Sequence, residues 1–193
     1  MDTTAVLLRD TLQYLLMPLW LLAGFADWCC HRAQRIERTA GLKEALLHWL
    51  MLAEMGVAVA AAALLQVNAA VLVLMLAACV AHELTTWWDL AYATRHRAIP
   101  PVEQWVHSLQ LVLPWAAWVA LVLLHWPQAM AAVGLGTAAP DWSWRLKAPA
   151  LPWAYLLSVA LAGLVLVAGP FAEETWRCWR ADAARGRSQR AAR

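Results

Sequence analysis

Apolar residues in this chain do not alternate with polar ones but run together in five long blocks. These cover residues 12–31, 42–65, 69–91, 102–125 and 151–170. Each approaches the ~20 residues that an α-helix needs to cross a ~30 Å hydrocarbon layer. Pro18 and Pro114 fall inside the first and fourth blocks and predict kinks there. Only Gln66, Val67 and Asn68 separate the second block from the third, which predicts a tight antiparallel hairpin. The longest connection, 126–150, is rich in Pro, Gly and Trp and has room for a short interfacial helix. The pattern predicts an all-α integral membrane protein with five transmembrane helices. The first four are expected to form an antiparallel four-helix bundle. Residues 1–170 would be one transmembrane domain and 171–193 a basic cytoplasmic tail.

Composition supports this reading. The 193 residues are 63% hydrophobic and 15% charged, where a soluble domain carries about a quarter charged residues. The mean hydropathy is +0.53. Cys29, Cys30, Cys79 and Cys178 lie in or beside apolar blocks without a C-x-x-C pair, and read as small apolar filler. The N-terminus has neither a basic leader nor an obvious cleavage site, so the first block reads as a retained helix.

Basic residues set the expected orientation. Arg32, Arg35, Arg38 and Lys43 follow the first block, and Arg95 and Arg97 follow the third. Arg177, Arg180, Arg185, Arg187, Arg190 and Arg193 follow the fifth, whereas the other side has only Arg9, Arg145 and Lys147. The positive-inside rule then predicts an outer N-terminus and a cytoplasmic C-terminus. The Arg-rich tail is expected to rest on anionic lipid headgroups and not on nucleic acid. Most of the fourteen Trp lie near block ends, as an aromatic belt would place them.

The polar residues near the blocks follow a pattern. Asp27 and His31 stand four apart, as do Glu44 and His48, and Glu103 and His107. Residues four apart share a helix face. His82 and Asp89 are seven apart, with Thr85 and Thr86 between them on that face. Four helices thus each offer a carboxylate and an imidazole in one stripe. The alternating helix directions place all eight in the cytoplasmic half, where they predict a polar pocket. A lone charge in the bilayer centre costs roughly 2.5–3.5 kcal/mol, so a group of them needs neutralising. Divalent cations accept carboxylate oxygen and neutral imidazole nitrogen together. The eight residues therefore predict a mono- or dinuclear site for iron or zinc. Glu54 and Glu83 lie off the stripes and are the expected acid–base residues. Taken singly, each pair also reads as an ion pair at a helix end.

Familiar motifs fail. "HEL" at 82–84 would need His at 86 for a zinc-protease site, and Thr86 stands there. The H-x-x-H-H boxes of membrane desaturases, a P-loop and a C-x-x-C-H haem site are all absent from the sequence. Haem held by His48 and His107 is disfavoured, because a carboxylate beside each histidine suits a metal ion better. The stretches "MPLWLLAGFADWCCHR", "HELTTWWDLAY" and "PPVEQWVHS" together resemble a group of small bacterial inner-membrane proteins of uncharacterised function. The resemblance covers about residues 17–108 and implies a bacterial cytoplasmic membrane. It carries no functional residue.

The expected function is a membrane metalloprotein acting on a lipid-like or amphipathic substrate, by oxygen chemistry with iron or by hydrolysis with zinc. Two other classes stay open. A metal or proton conduit would need polar residues through the whole bilayer thickness, and the outer half has few. An assembly subunit would use the same charges only to pair helices. A homo-oligomer is compatible with any of the three.

Overall fold

The computed structural model describes residues 3–191, with side chains as far as Ser188. Arg193 lies outside the described residues, as does the side chain of Arg190. Every regular element among the described residues is helical, and five helices are long and apolar enough to cross a membrane.

The first helix starts at Thr3, earlier than the apolar block suggests. It comprises α1 (Thr3–Asp10), a π turn over Thr11–Leu16 and α2 (Met17–Gln34). The last helix is built the same way, from α7 (Trp153–Gly163), a π turn over Leu164–Ala168 and α8 (Gly169–Ala191). In both, a proline follows the wide turn, Pro18 in one and Pro170 in the other. A proline has no N–H for the preceding turn and its ring crowds that turn's carbonyl. A single π turn relieves the crowding without ending the helix.

Between these lie α3 (Leu42–Leu64), α4 (Ala69–Ala93) and α5 (Pro101–Leu124), close to the expected bounds. Gly41 opens α3 at φ +70°, a backbone conformation that favours glycine. At the start of α4 the Asn68 side chain accepts from Val71 N at 3.1 Å and donates to Ser143 O at 2.8 Å. The connection after α5 holds a short helix, α6 (Trp126–Ala132). Beyond it the loop folds back over the α3–α4 turn. Gln66 N donates to Arg145 O at 2.9 Å, and Lys147 N to Leu64 O at 2.8 Å. Asn68→Ala breaks both side-chain bonds at this seam. It should cost about 1–2 kcal/mol, read as a lower unfolding midpoint in detergent.

Helix α3 packs on α4 and α8, α2 packs on α5 and on the second π turn, and α4 also meets α5. The half of α3 and α4 next to their turn is dry. Met55, Ala58, Val71, Leu72 and Met75 form its core, with Trp115 and Trp118 of α5 against it. Small residues such as Ala58, Ala61 and Ala78 let these backbones approach closely. Residues beyond 170 continue the helix, and Phe171, Glu174 and Cys178 are buried. Ala, Arg and Glu dominate this stretch and are strong helix formers. Cys178 packs with Ile36 and Ala45, which ties α8 to the turn between α2 and α3.

Candidate metal centre

The Arg-rich end of the helices holds the polar interior. Asp27, His31, Glu44, His48, His82, Asp89 and Glu103 are all buried, and the His107 side chain is 11% exposed. Their arrangement differs from four independent stripes. Asp27 and His31 do meet, with Asp27 Oδ1 3.5 Å from His31 Nε2. Glu103 and His107 also approach, at 3.8 Å. The two helices interleave, with His31 Nε2 3.3 Å from Glu103 Oε1 and His107 Nε2 3.0 Å from Asp27 Oδ1. One ligand atom from each of these four residues lies within 4.8 Å of the other three.

Glu44 and His48 each offer a ligand atom within 4.8 Å of the other and of His31, but their hydrogen bonds go to different partners. Glu44 accepts from Arg97, with Nη2 at 2.5 Å and Nε at 3.1 Å from Glu44 Oε1. The same Arg97 Nη2 lies 2.5 Å from Glu103 Oε1. Arg97 Nη1 donates to Glu103 Oε2 at 3.0 Å and to Gln34 Oε1 at 2.9 Å, and Gln34 donates in turn to Glu103. The sequence counts Arg97 only as a loop charge, yet its side chain is 4% exposed. The loop doubles back because Arg95 N donates to Tyr92 O and Arg97 N to Ala93 O. Burial alone would lower the pKa of this guanidinium. Its hydrogen bonds to Glu103 and Glu44 outweigh that and raise it above the ordinary value.

His48 meets a carboxylate that the i, i+4 pattern does not contain. Glu174 on α8 accepts from His48 Nδ1 at 2.7 Å and from His31 Nδ1 at 3.1 Å. The two rings stack with centroids 4.5 Å apart and planes 10° off parallel. In the neutral tautomer protonated at Nδ1, both rings donate to this one carboxylate and each Nε2 carries a lone pair. This is how a carboxylate orients metal-binding histidines. Glu174 has no histidine four residues away, so that spacing rule passes over it. The sequence signal is the acidic pair Glu173–Glu174 just after an apolar block. Glu173 itself stays near the surface and pairs with Arg32 at 2.5 Å.

His82 and Asp89 share a face of α4 but turn to different neighbours. Asp89 Oδ2 is 3.9 Å from His48 Nε2, and His82 Nδ1 is 3.9 Å from Glu54 Oε2. Glu54 also accepts from Thr85 Oγ1 at 2.7 Å. Glu83 is not brought to the cluster. It is exposed, one residue and about 100° around the helix from His82, and accepts from Trp115 Nε1 at 3.1 Å. Trp20, placed in the belt by its sequence position, lines a partly open cavity.

That cavity, of about 200 Å³, adjoins the cluster. Trp20, Leu52, Val167 and Phe171 line it together with Asp27, His48, His82, Asp89 and His107. Several atoms of the cluster have no hydrogen-bond partner among the described residues. They include Asp27 Oδ1, His31 Nε2, His107 Nδ1, Asp89 Oδ1 and both ring nitrogens of His82. Buried polar atoms are seldom left so. The chain matches no protein-family model, no curated protein and no solved structure.

Proposed function

We propose that this is an integral membrane metalloprotein whose centre, built on Asp27, His31, Glu103 and His107, holds a divalent cation such as iron or zinc. The observation that carries the reading is the spacing of four ligand atoms. His31 Nε2, His107 Nε2, Asp27 Oδ1 and Glu103 Oε1 are separated by 3.5, 3.3, 3.0 and 3.8 Å along four edges. Ligands about 2.0–2.1 Å from one ion in a tetrahedron are about 3.3–3.4 Å apart. Neither Asp27 Oδ1 nor His31 Nε2 makes a hydrogen bond of regular geometry, although His107 Nε2 and Glu103 Oε1 stand beside them at 3.0 and 3.3 Å.

Protonated histidines are the competing way to neutralise the carboxylates. An imidazolium donates from both nitrogens, yet His107 Nδ1 has no acceptor among the described residues. A cation uses the lone pairs that protonation would waste.

The membrane reading rests on an inverted polarity. Carboxylates are buried while Leu15, Leu22, Val57, Val112, Leu161 and Val165 are exposed on the long helices. Such a surface suits lipid. The excess of Arg at the metal end favours a cytoplasmic C-terminus and an outer N-terminus, as in a bacterial inner membrane. Exposed Arg185 and Arg187 would then face lipid headgroups.

The cavity favours an amphipathic substrate, with its polar end at the metal and its apolar body against Trp20, Val167 and Phe171. Bound there, iron would supply oxygen chemistry and zinc hydrolysis. Glu54, beside His82, is the carboxylate suited to acid–base work. The dry α3–α4 half argues against a conduit through the whole thickness. Elemental analysis of the detergent-purified full chain tests the reading. At least one metal per chain is expected, and less than about 0.2 would overturn it.

A further inference from the structure

We infer that the cavity takes an amphiphile whose head donates hydrogen bonds and carries no negative charge, an alcohol or an ammonium and not a phosphate or carboxylate. The inference rests on the amphipathic-substrate reading above and names the class of head that Asp89 selects. It does not need the metal ion.

The cavity has a polar end and an apolar end. Its lining includes Trp20 and Asp27 on α2, and His48 and Leu52 on α3. On both helices the polar residue lies nearer the Arg-rich end and the apolar one deeper along the helix. Gly163 and Val167 on the last helix add to the apolar part. From Trp20 to Asp27 the helix rises about 10 Å, room for a small head and the first carbons of a chain.

Asp89 is the group at the polar end that the fold leaves without a partner. Its side chain is 5% exposed, and Oδ1 has no hydrogen-bond partner among the described residues. Oδ2 stands 3.9 Å from His48 Nε2, too far for a hydrogen bond. A buried carboxylate in this state is costly, and its oxygens only accept. Asp89 also stands outside the group of Asp27, His31, Glu103 and His107, so a cation held there leaves it unpaired. Because Asp89 lines the cavity, a bound O–H or N–H group can supply the missing donor.

Charge excludes the other heads. Asp27 and Asp89 line the cavity, and no Lys or Arg does so among the described residues. Asp27, Glu44, Asp89, Glu103 and Glu174 are all buried, with Arg97 set between two of them. Arg97 and one divalent ion bring three positive charges, which leaves two negative ones when the imidazoles are neutral. Without the ion the excess is larger still. A phosphate or carboxylate head would add to it in a weakly screened interior.

The test uses the full chain in phosphatidylcholine nanodiscs. Dodecanol, dodecylammonium and dodecyl phosphate, each carrying a diazirine near the head, serve as probes. After illumination, peptide mass spectrometry compares labelling of the cavity lining with labelling of Val112, which is exposed on α5. That ratio cancels differences in partition into the bilayer. The alcohol, the ammonium or both are expected to exceed the phosphate by about tenfold or more, since like charges brought together are strongly disfavoured. The leading probe identifies the donor. Asp89→Asn should narrow the gap. A phosphate ratio equal to the others would overturn the inference and leave the amphipathic reading standing. No cavity labelling by any probe would overturn both. A gap unchanged in Asp89→Asn would overturn the assignment to Asp89. Should that variant fail to insert, the comparison in the unaltered protein decides the question.

Discussion

Replacing Arg97 by glutamine is expected to destabilise the protein by about 3–5 kcal/mol, the cost of leaving buried charges without their partner. Arg97 lies within 2.5 Å of both Glu44 Oε1 and Glu103 Oε1 and is 4% exposed. Its fork also reaches Gln34, so one side chain joins the ends of α2, α3 and α5. A neutral amide at position 97 could make a hydrogen bond or two but would leave two buried carboxylates uncompensated. Lysine should recover only part of the loss, because an ammonium cannot span both acids as a planar guanidinium does. Chemical denaturation in detergent, with metal removed, measures the effect. A loss under about 1 kcal/mol would show that water reaches these acids and screens them.

The second large effect is expected at Glu174. Changing it to glutamine should weaken metal binding by about 10–100-fold, as loss of an outer partner of metal-binding histidines generally does. The carboxylate accepts from His31 Nδ1 and His48 Nδ1 through separate oxygens. An amide has one oxygen, so one ring would face an N–H donor and reverse its tautomer. The reversed ring would present Nε2–H to the metal. Glu173→Gln is the control. Glu173 is one residue away but pairs with Arg32 and Arg177 near the surface, and its loss should leave metal affinity unchanged. Competition against a chelator of known affinity measures both. Equal losses at 173 and 174 would show that the helix as a whole, and not the Glu174 carboxylate, sets affinity.

The two residues that matter most in these predictions are the ones sequence patterns miss. Long apolar blocks are readable because crossing a membrane demands a minimum length, and α3, α4 and α5 fall close to their expected bounds. Asp27 with His31 and Glu103 with His107 are readable because each pair shares one helix, so spacing fixes the face. Arg97 and Glu174 act on partners from other helices, and no periodicity within one segment encodes such a contact. Glu44 shows the reverse limit. Its spacing from His48 is right, but a nearer and stronger partner takes it. Helix extension past residue 170 escapes a hydropathy reading because Arg and Ala continue a helix while lowering its apolarity.

The position of Glu174 also orders the events of assembly. Every other residue of the centre lies earlier in the chain, between Asp27 and His107, while Glu174 arrives on α8. During synthesis the first helices must therefore coexist for a time with the tautomers of His31 and His48 undirected. A cation entering then would meet ligands of the right kind in the wrong orientation. Stable loading would then have to wait until the last helix docks against α2 and α3. Maturation of the centre would thus act as a check that insertion of the whole chain is complete.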